Sequence, residues 1–357
     1  MNAEIPSFSS PVSPSADDLR AAWEAAKAGP GPARARDVAA SLGASEAALA
    51  AARVGDDVIR LSGDWKRLLT ELHAVGRLMG LTRNDHAVIE REGAYEPASF
   101  VHGGAVGLVL DEGIDLRLFM SRWHHAFAIA HETPKGQRWG IHFFDAAGDA
   151  VHKVYLTEGS DAEAFWAIVD SFRASSQAAP LHFLPREAPA VERPDEEIDV
   201  AGLQAAWRAL EDTHDFVPLL RRFGVTRTQA LRLAPEEAVR VVRPTSLATT
   251  LEQAAETELP IMVFVGNAGC IQIHTGPVHR IKRLGPWLNV LDPGFNLHVR
   301  DDRIEAAWVV EKPTRDGVVT SLELFDGAGE TVAMLFGKRK PGQPEDLRWR
   351  TLASQLA

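Results

Sequence analysis

The segment Gly113–Tyr155, GIDLRLFMSRWHHAFAIAHETPKGQRWGIHFFDAAGDAVHKVY, runs in step with Gly294–Phe336, GFNLHVRDDRIEAAWVVEKPTRDGVVTSLELFDGAGETVAMLF, at a constant spacing of 181 residues and without a gap. Gly113 meets Gly294, Leu116 meets Leu297, Arg122 meets Arg303, Thr133 meets Thr314, Gly136 meets Gly317, Phe144-Asp145 meets Phe325-Asp326, and Gly148 meets Gly329. Turn residues and core residues recur together, so the chain holds two copies of one fold unit. Two copies present two like faces or one shared cleft, and the functional question becomes which polar groups each copy keeps.

Inside and beside the quoted segment, the runs His102–Leu110, Ile114–Phe119, Ala126–Ala130, Trp139–Phe144 and Ala150–Leu156 are short, apolar and aromatic, and Gly, Asp, Asn or Pro separates them at hairpin spacing. That pattern predicts an antiparallel meander. Asp145–Asp149 and Asp326–Glu330 read as its hairpin turns, with glycine supplying positive φ. Towards the N-terminus, Leu68, Leu69, Leu72, Val75 and Leu78 mark the buried side of a helix expected over Asp64–Leu81. Residues 35–53 read as two short helices around Gly43, with Ser45 as an N-cap and no basic face. Another helix starts at Ala16 and stops at Pro30-Gly31-Pro32, and the Ser- and Pro-rich residues 1–16 are expected to lack fixed structure.

Towards the C-terminus, a helix over Asp161–Arg173 closes the first copy, and the Pro- and Ala-rich acidic stretch 175–198 reads as a linker. Helices over Val200–Glu211 and from about Thr213 open the second copy. Gly80-Leu81-Thr82-Arg83 recurs as Gly224-Val225-Thr226-Arg227 at a spacing of 144, which predicts about 37 additional residues in the second copy, containing a helix over Ser246–Glu256 and strands over Ile261–Val265 and Cys270–His274. The expected organisation is α+β, with repeats at 17–174 and 199–357.

A length of 357 residues suits two such units, and 45% hydrophobic with 24% charged residues is a globular balance that can fill their cores. The formal net charge of -11 argues against nucleic acid and anionic membrane surfaces as partners. One cysteine, Cys270, excludes an internal disulfide and a cysteine-rich metal site and fits a reducing compartment. Neither a secretory start nor a membrane-length apolar run is visible, so the expected protein is cytoplasmic and not membrane-embedded.

No Gly-x-Ser-x-Gly elbow, HExxH pair, Walker A loop or EF-hand spacing occurs, which removes the corresponding hydrolases and calcium sites. Cys270, Gln272 and His274 share one face of a strand but offer too few nitrogen and sulfur ligands for zinc or copper, and His124 and His125 point to opposite faces. His214 stands in Asp212-Thr213-His214-Asp215-Phe216, where Asp212 or Thr213 caps a helix and the imidazole projects from its first turn. On the pattern alone a structural or surface histidine is the default reading.

The run Ala205–Phe216, AAWRALEDTHDF, resembles the second-half entry of the bacterial cytoplasmic haem-utilisation proteins of the HemS/HmuS/ChuS family. Further matching stretches are GLTRNDHA (80–87), DLRLF (115–119), FFDAAGDAVHKVY (143–155), MVFVGNAGCIQ (262–272), KPTRDGVVTSLELF (312–325) and FGKRKPGQPE (336–345), in family order along nearly the whole chain. The resemblance implies a tandem duplication in which each half has a large antiparallel sheet with flanking helices, and a cleft between halves for haem b. It implies His214 as axial ligand of the haem iron, Arg117 on the distal side as a candidate catalytic donor with Phe119 beside it, and Arg227, Lys312 and Arg339 as cations around the pocket, suited to propionates.

By the same resemblance the protein carries haem from an inner-membrane importer to a haem oxygenase or to storage. The alternative is an enzyme that opens the porphyrin itself with reductant and O2. A third reading is that the duplicated sheet binds some other planar anion or serves only as an interaction scaffold. Met334 and Phe336 stand where some relatives have more polar pocket residues, and Ile89 stands where some carry a further haem-contacting histidine. At the 181 spacing Arg117 meets His298 and Lys312 meets His131, which favours one asymmetric site.

Overall fold

The structure, a computed structural model, describes residues 14–30, 33–133, 136–339 and 342–357. The expected unstructured start lies outside these up to residue 13. The strands of the first copy are β1 (Val58–Leu61), β2 (Gly76–Arg83), β3 (Ala87–Ala94), β4 (Ser99–Val101), β5 (Val106–Leu110), β6 (Asp115–Phe119), β7 (His125–Thr133), β8 (Gly136–Phe144) and β9 (Ala150–Ser160). Those of the second are β10 (Val239–Val242), β11 (Ile261–Gly266), β12 (Cys270–Gly276), β13 (Ile281–Leu284), β14 (Trp287–Asp292), β15 (Phe295–Val299), β16 (Ala306–Thr314), β17 (Gly317–Phe325) and β18 (Thr331–Gly337). Helices are α1 (Ala16–Ala28), α2 (Ala35–Ser41), α3 (Glu46–Ala52), α4 (Trp65–Glu71), α5 (Ala162–Ser171), α6 (Val200–Arg208), α7 (Phe216–Phe223), α8 (Arg227–Arg232), α9 (Ser246–Glu256) and α10 (Leu347–Gln355). Residues 175–194 form neither helix nor strand.

All strands join two antiparallel sheets of nine, ordered β1-β7-β8-β9-β2-β3-β15-β14-β13 and β10-β16-β17-β18-β11-β12-β6-β5-β4. Each copy therefore supplies six strands to its own sheet and lends three to the other. The lent hairpins are seated by ladders pairing Ile271 with Arg117 and Leu297 with Ile89. This exchange places Arg117, from the first copy, on the sheet of the second.

The turns follow the glycines and aspartates read from the sequence. Gly148 (φ 86°) and Gly329 (φ 79°) occupy the left-handed region, and the Asp145 and Asp326 carboxylates accept backbone N–H groups across their turns. Two sequence expectations fail. The Asp64–Leu81 helix ends at Glu71, winds through one 3-10 turn to Val75, and becomes β2 after Gly76, whose φ of 72° breaks the helix. Leu78 therefore continued the helical spacing by coincidence.

The match at spacing 144 also dissolves, because Gly80–Arg83 lies in β2 whereas Gly224 ends α7 and Thr226 caps α8. The counterpart of Thr226 is Ser45, the N-cap of α3, at the same 181 spacing as the meanders. The copies are of equal build, and no 37-residue insertion exists.

The inner faces pack against helices and against lent strands. One core joins α9 and α10 to Val263, Leu322 and Leu335 and to Ile89, Phe295 and Leu297 of the other sheet; its counterpart joins α4 and α5 to Phe143, Val154, Leu116 and Leu118. Both cores mix residues of the two copies. Where the β2–β3 and β11–β12 hairpins meet, Asn84 Nδ2 donates to Gly266 O and Val332 O while Asn267 Nδ2 donates to Arg83 O and Val151 O. These reciprocal clamps satisfy hairpin carbonyls of both copies. Among the described residues no helix is long and apolar enough to cross a membrane.

Candidate functional site

The outer face of the second sheet departs from ordinary patterning. In β6, β11 and β18 buried residues largely alternate with half-buried ones, and beside the charged Asp115 and Arg117 the half-buried residues of these strands and of β12 include the apolar Met262, Phe264, Ile271, Met334, Phe336 and Phe119. Ladder partners share a face, and the register pairs Met262 with Phe336, Phe264 with Met334, and Ile271 with Arg117. The Phe264 and Phe336 rings lie 4.9 Å apart. From β18 to β6 is three inter-strand spacings, about 14 Å. Such a platform of half-exposed apolar side chains suits a flat apolar ligand.

Over the neighbouring strands this face is covered. Trp207 of α6 and Phe216 of α7 pack edge to face at 4.9 Å above Val310 and Trp308 of β16, and the Trp207 indole N–H donates to Glu311 O. Beneath Phe216 lies a buried charge cluster. Glu323 of β17 is fully buried and accepts from Arg227 Nε at 2.7 Å, Arg227 Nη2 at 2.9 Å, Lys312 Nζ at 2.7 Å and Ser321 Oγ at 3.0 Å.

Burial alone would raise the Glu323 carboxyl, but the charges of Arg227 and Lys312 and their hydrogen bonds hold it well below the carboxylate range. Burial pushes the Lys312 ammonium down to about 8, against the pull of Glu323. Lys312 is thus turned inward, 4.5 Å from the Phe216 ring centre, and Arg227 is 21% exposed. Two cations against one carboxylate leave one net positive charge.

His214 stands in a single 3-10 turn, Thr213–Asp215, directly before α7. Asp212 caps that turn by accepting the His214 N–H at 2.9 Å, and its Oδ1 also accepts the imidazole Nδ1–H at 2.6 Å. Nε2 makes no hydrogen bond among the described residues, and the side chain is 86% exposed. The hydrogen bond from the His214 N–H is the largest cause keeping the Asp212 carboxyl below its ordinary value; the imidazole and the charge of Arg339, just past β18, add to it. Arg117, on β6, is ion-paired with Asp115, whose carboxyl burial raises despite that pair.

The structure therefore gathers Arg117 and Phe119 onto the platform, sets Arg227 at its edge, places His214 and Arg339 beside one carboxylate, and sends Lys312 to the interior. A cavity of about 760 Å³ adjoins the platform: Arg227, Phe264, Ile271 and Met334 line one side, and Glu46, Arg83 and His86 of the first copy the other, with Leu184–Glu187 forming part of its wall. Sequence reading missed Met262, Phe264 and Ile271 as a surface, Glu323 as the counter-charge and Asp212 as the imidazole's partner. The run IMVFVG carried a signal, since it is apolar on both faces, and such a strand must bury both or keep one for a ligand.

Cys270, Gln272 and His274 are buried on the opposite face. Burial pushes the Cys270 thiol up to about 12, and His274 stacks on Phe295 at 3.6 Å. Among the described residues no group of three His, Cys, Asp or Glu side chains is placed to hold a metal ion.

The first sheet repeats the architecture with different groups. Its ladders and the 181 spacing place Lys153, Tyr155 and Arg300 where the second has Met334, Phe336 and Phe119, and His298 where it has Arg117. Ala33 stands at the spacing of His214. Glu46 of α3 pairs with Lys153, replacing Arg227 with Glu323, and stacked His131 and His142 occupy the places of Lys312 and Glu323. Burial keeps both histidines neutral at pH 7, so this cluster carries no net charge. Among the described residues, the apolar platform, surplus positive charge and exposed imidazole occur together only in the second copy.

A family model described as the haemin-degrading HemS.ChuX domain matches residues 43–172 and 224–356. The hemin transport protein HemS of Yersinia enterocolitica is 42% identical over 326 residues, covering 90% of this chain and 92% of that protein. Holo-PhuS, a heme-binding protein from Pseudomonas aeruginosa, superposes with a TM-score of 0.92 at 49% identity over 96% of this chain and 99% of its own. The heme degrading enzyme ChuS of Escherichia coli O157:H7 superposes with a TM-score of 0.89 at 38% identity over the same shares.

Proposed function

Since the chain belongs to the family of HemS/ChuX haemin-degrading domains, we propose that it binds haem b on the apolar platform of the second sheet and carries it in the cytoplasm from an inner-membrane importer to a haem oxygenase or to storage. The observation that carries this reading is an exposed imidazole with a free Nε2, on a turn that packs against β16 of the same sheet that bears the apolar platform. A neutral imidazole nitrogen suits porphyrin iron, and thioether, phenyl and aliphatic side chains suit a macrocycle. His214 is the axial ligand in this account. Arg117, with Phe119 beside it, approaches the opposite side. The surplus charge around Arg227 and Lys312, with Arg339, attracts the dianionic propionates. Repeats at 17–174 and 199–357 joined by the 175–198 segment complete it, with Arg117 supplied across the copies.

Carriage is favoured over ring opening by the distal side. Arg117 is already held by Asp115, and Met334 and Phe336 present no hydrogen-bond donor with which to order water or dioxygen. The alternative, haem-oxygenase-like opening of the ring, draws support from the kinship with ChuS and uses Arg117 as the distal donor. Aerobic incubation of the hemin complex with a reductant and catalase separates them. The expected outcome is a persistent Soret band. Its loss with formation of an open-chain tetrapyrrole would establish the enzyme instead, and catalase removes bleaching by free peroxide.

A further inference from the structure

The imidazole of His214 is almost fully exposed, so no packing fixes the direction of its ring. One contact does. Asp212 Oδ1 receives the Nδ1–H at 2.6 Å while also accepting the backbone N–H of the same residue at 2.9 Å. The two bonds tie the ring and its backbone to a single oxygen. They select the tautomer protonated at Nδ1 and turn the lone pair of Nε2 outward.

An ionised carboxylate on the far nitrogen does more than orient. It draws the Nδ1 proton towards itself and pushes electron density onto Nε2, which strengthens the nitrogen as a donor and stabilises the more highly charged state of a bound metal. Other anions in the turn are differently engaged or placed: Glu211 pairs with Arg315, and Asp215 makes no bond to the ring. The first copy has Ala33 at the spacing of His214, and so no imidazole to orient.

We propose that Asp212 is a positioning residue that sets the donor strength of His214 and so biases the bound haem towards the ferric state. The proposal rests on the reading of His214 as axial ligand. By linkage, the factor by which Asp212 raises ferric over ferrous affinity equals the factor by which it shifts the redox equilibrium, so reduction weakens retention by that factor more than it would without Asp212. A carrier with this property can hand over its cargo on reduction.

The variant that isolates the effect is Asp212→Asn, because asparagine caps a turn as well as aspartate and keeps an oxygen for the Nδ1–H, but lacks the charge. Reduction potential of the full-length hemin complex and the iron–histidine stretching frequency of its ferrous form are the readouts. The expected result is a ferric-over-ferrous preference lowered about tenfold, which is a rise of about 59 mV for a one-electron couple, with a lower stretching frequency and an unchanged fold by circular dichroism. Asp212→Ala should change both further in the same direction. An unchanged potential and stretch in Asp212→Asn, while His214→Ala loses the iron–histidine band, would overturn the role of Asp212 and leave the ligand assignment standing. If His214→Ala retains that band, the assignment itself falls and the proposal with it.

Discussion

Glu323 does the work of three residues' placement. It accepts from Arg227, Lys312 and Ser321 inside a region sealed by Trp207 and Phe216, and so fixes the sheet edge on which α7 and the His214 turn are built. A buried pair stripped of one partner leaves an uncompensated charge. Glu323→Gln strips the carboxylate from two cations at once, and the expected cost is about 3–5 kcal/mol of folding stability, measured by urea denaturation, with the haem spectrum perturbed as the turn loosens. A loss below about 1 kcal/mol, the range of a surface pair, would show that Arg227 and Lys312 find other partners. The sequence marked Arg227 and Lys312 as cations near a pocket. It could not show that a glutamate eleven residues along the next strand offsets one of their two charges, because that depends on the β16–β17 register.

Among the elements, β7, β8 and β9 of the first sheet carry imidazoles that stay uncharged. Burial pushes His131 down to about 4, helped by the charge of Lys153; burial also holds His142 beside it well below its ordinary value and takes His152 to about 3. The unfolded chain binds protons at these groups from the ordinary value of 6.5 downward, whereas the folded chain refuses them. Stability is therefore complete above about pH 6.5 and is lost progressively as pH falls towards 4 and below. Melting temperatures measured between pH 7.5 and 4 should fall steadily below 6.5, and His142→Phe should flatten the slope. A melting temperature constant to pH 4.5 would contradict the neutral buried state.

At this scale the hairpins β7–β8 and β16–β17 were legible, since Thr133, Gly136, Thr314 and Gly317 punctuate them in both copies. The strand β2 was not, because Leu78 prolongs the helical spacing of α4 and only the conformation of Gly76 reveals the break.

For the whole molecule, duplication was plain in the sequence and exchange was not. Nothing local in β4–β6 or β13–β15 states which sheet they join; that follows from where the β3 and β12 edges lie in space. The exchange makes the copies interdependent and brings Arg117 to a face otherwise built by the second copy. Asymmetry then favours the proposed site on the second sheet: Lys153, Tyr155 and Arg300 roughen the first platform where Met334, Phe336 and Phe119 smooth the second, and Ala33 replaces the imidazole.

The most direct measurement is a hemin titration of His214→Ala beside the unaltered protein, followed by absorption and electron paramagnetic resonance of the ferric complexes. The account predicts that one hemin binds the unaltered chain with a nitrogenous axial ligand, and that His214→Ala shifts the Soret band, loses that ligand's signature and weakens binding at least tenfold. Identical spectra and affinity in the two proteins would contradict it.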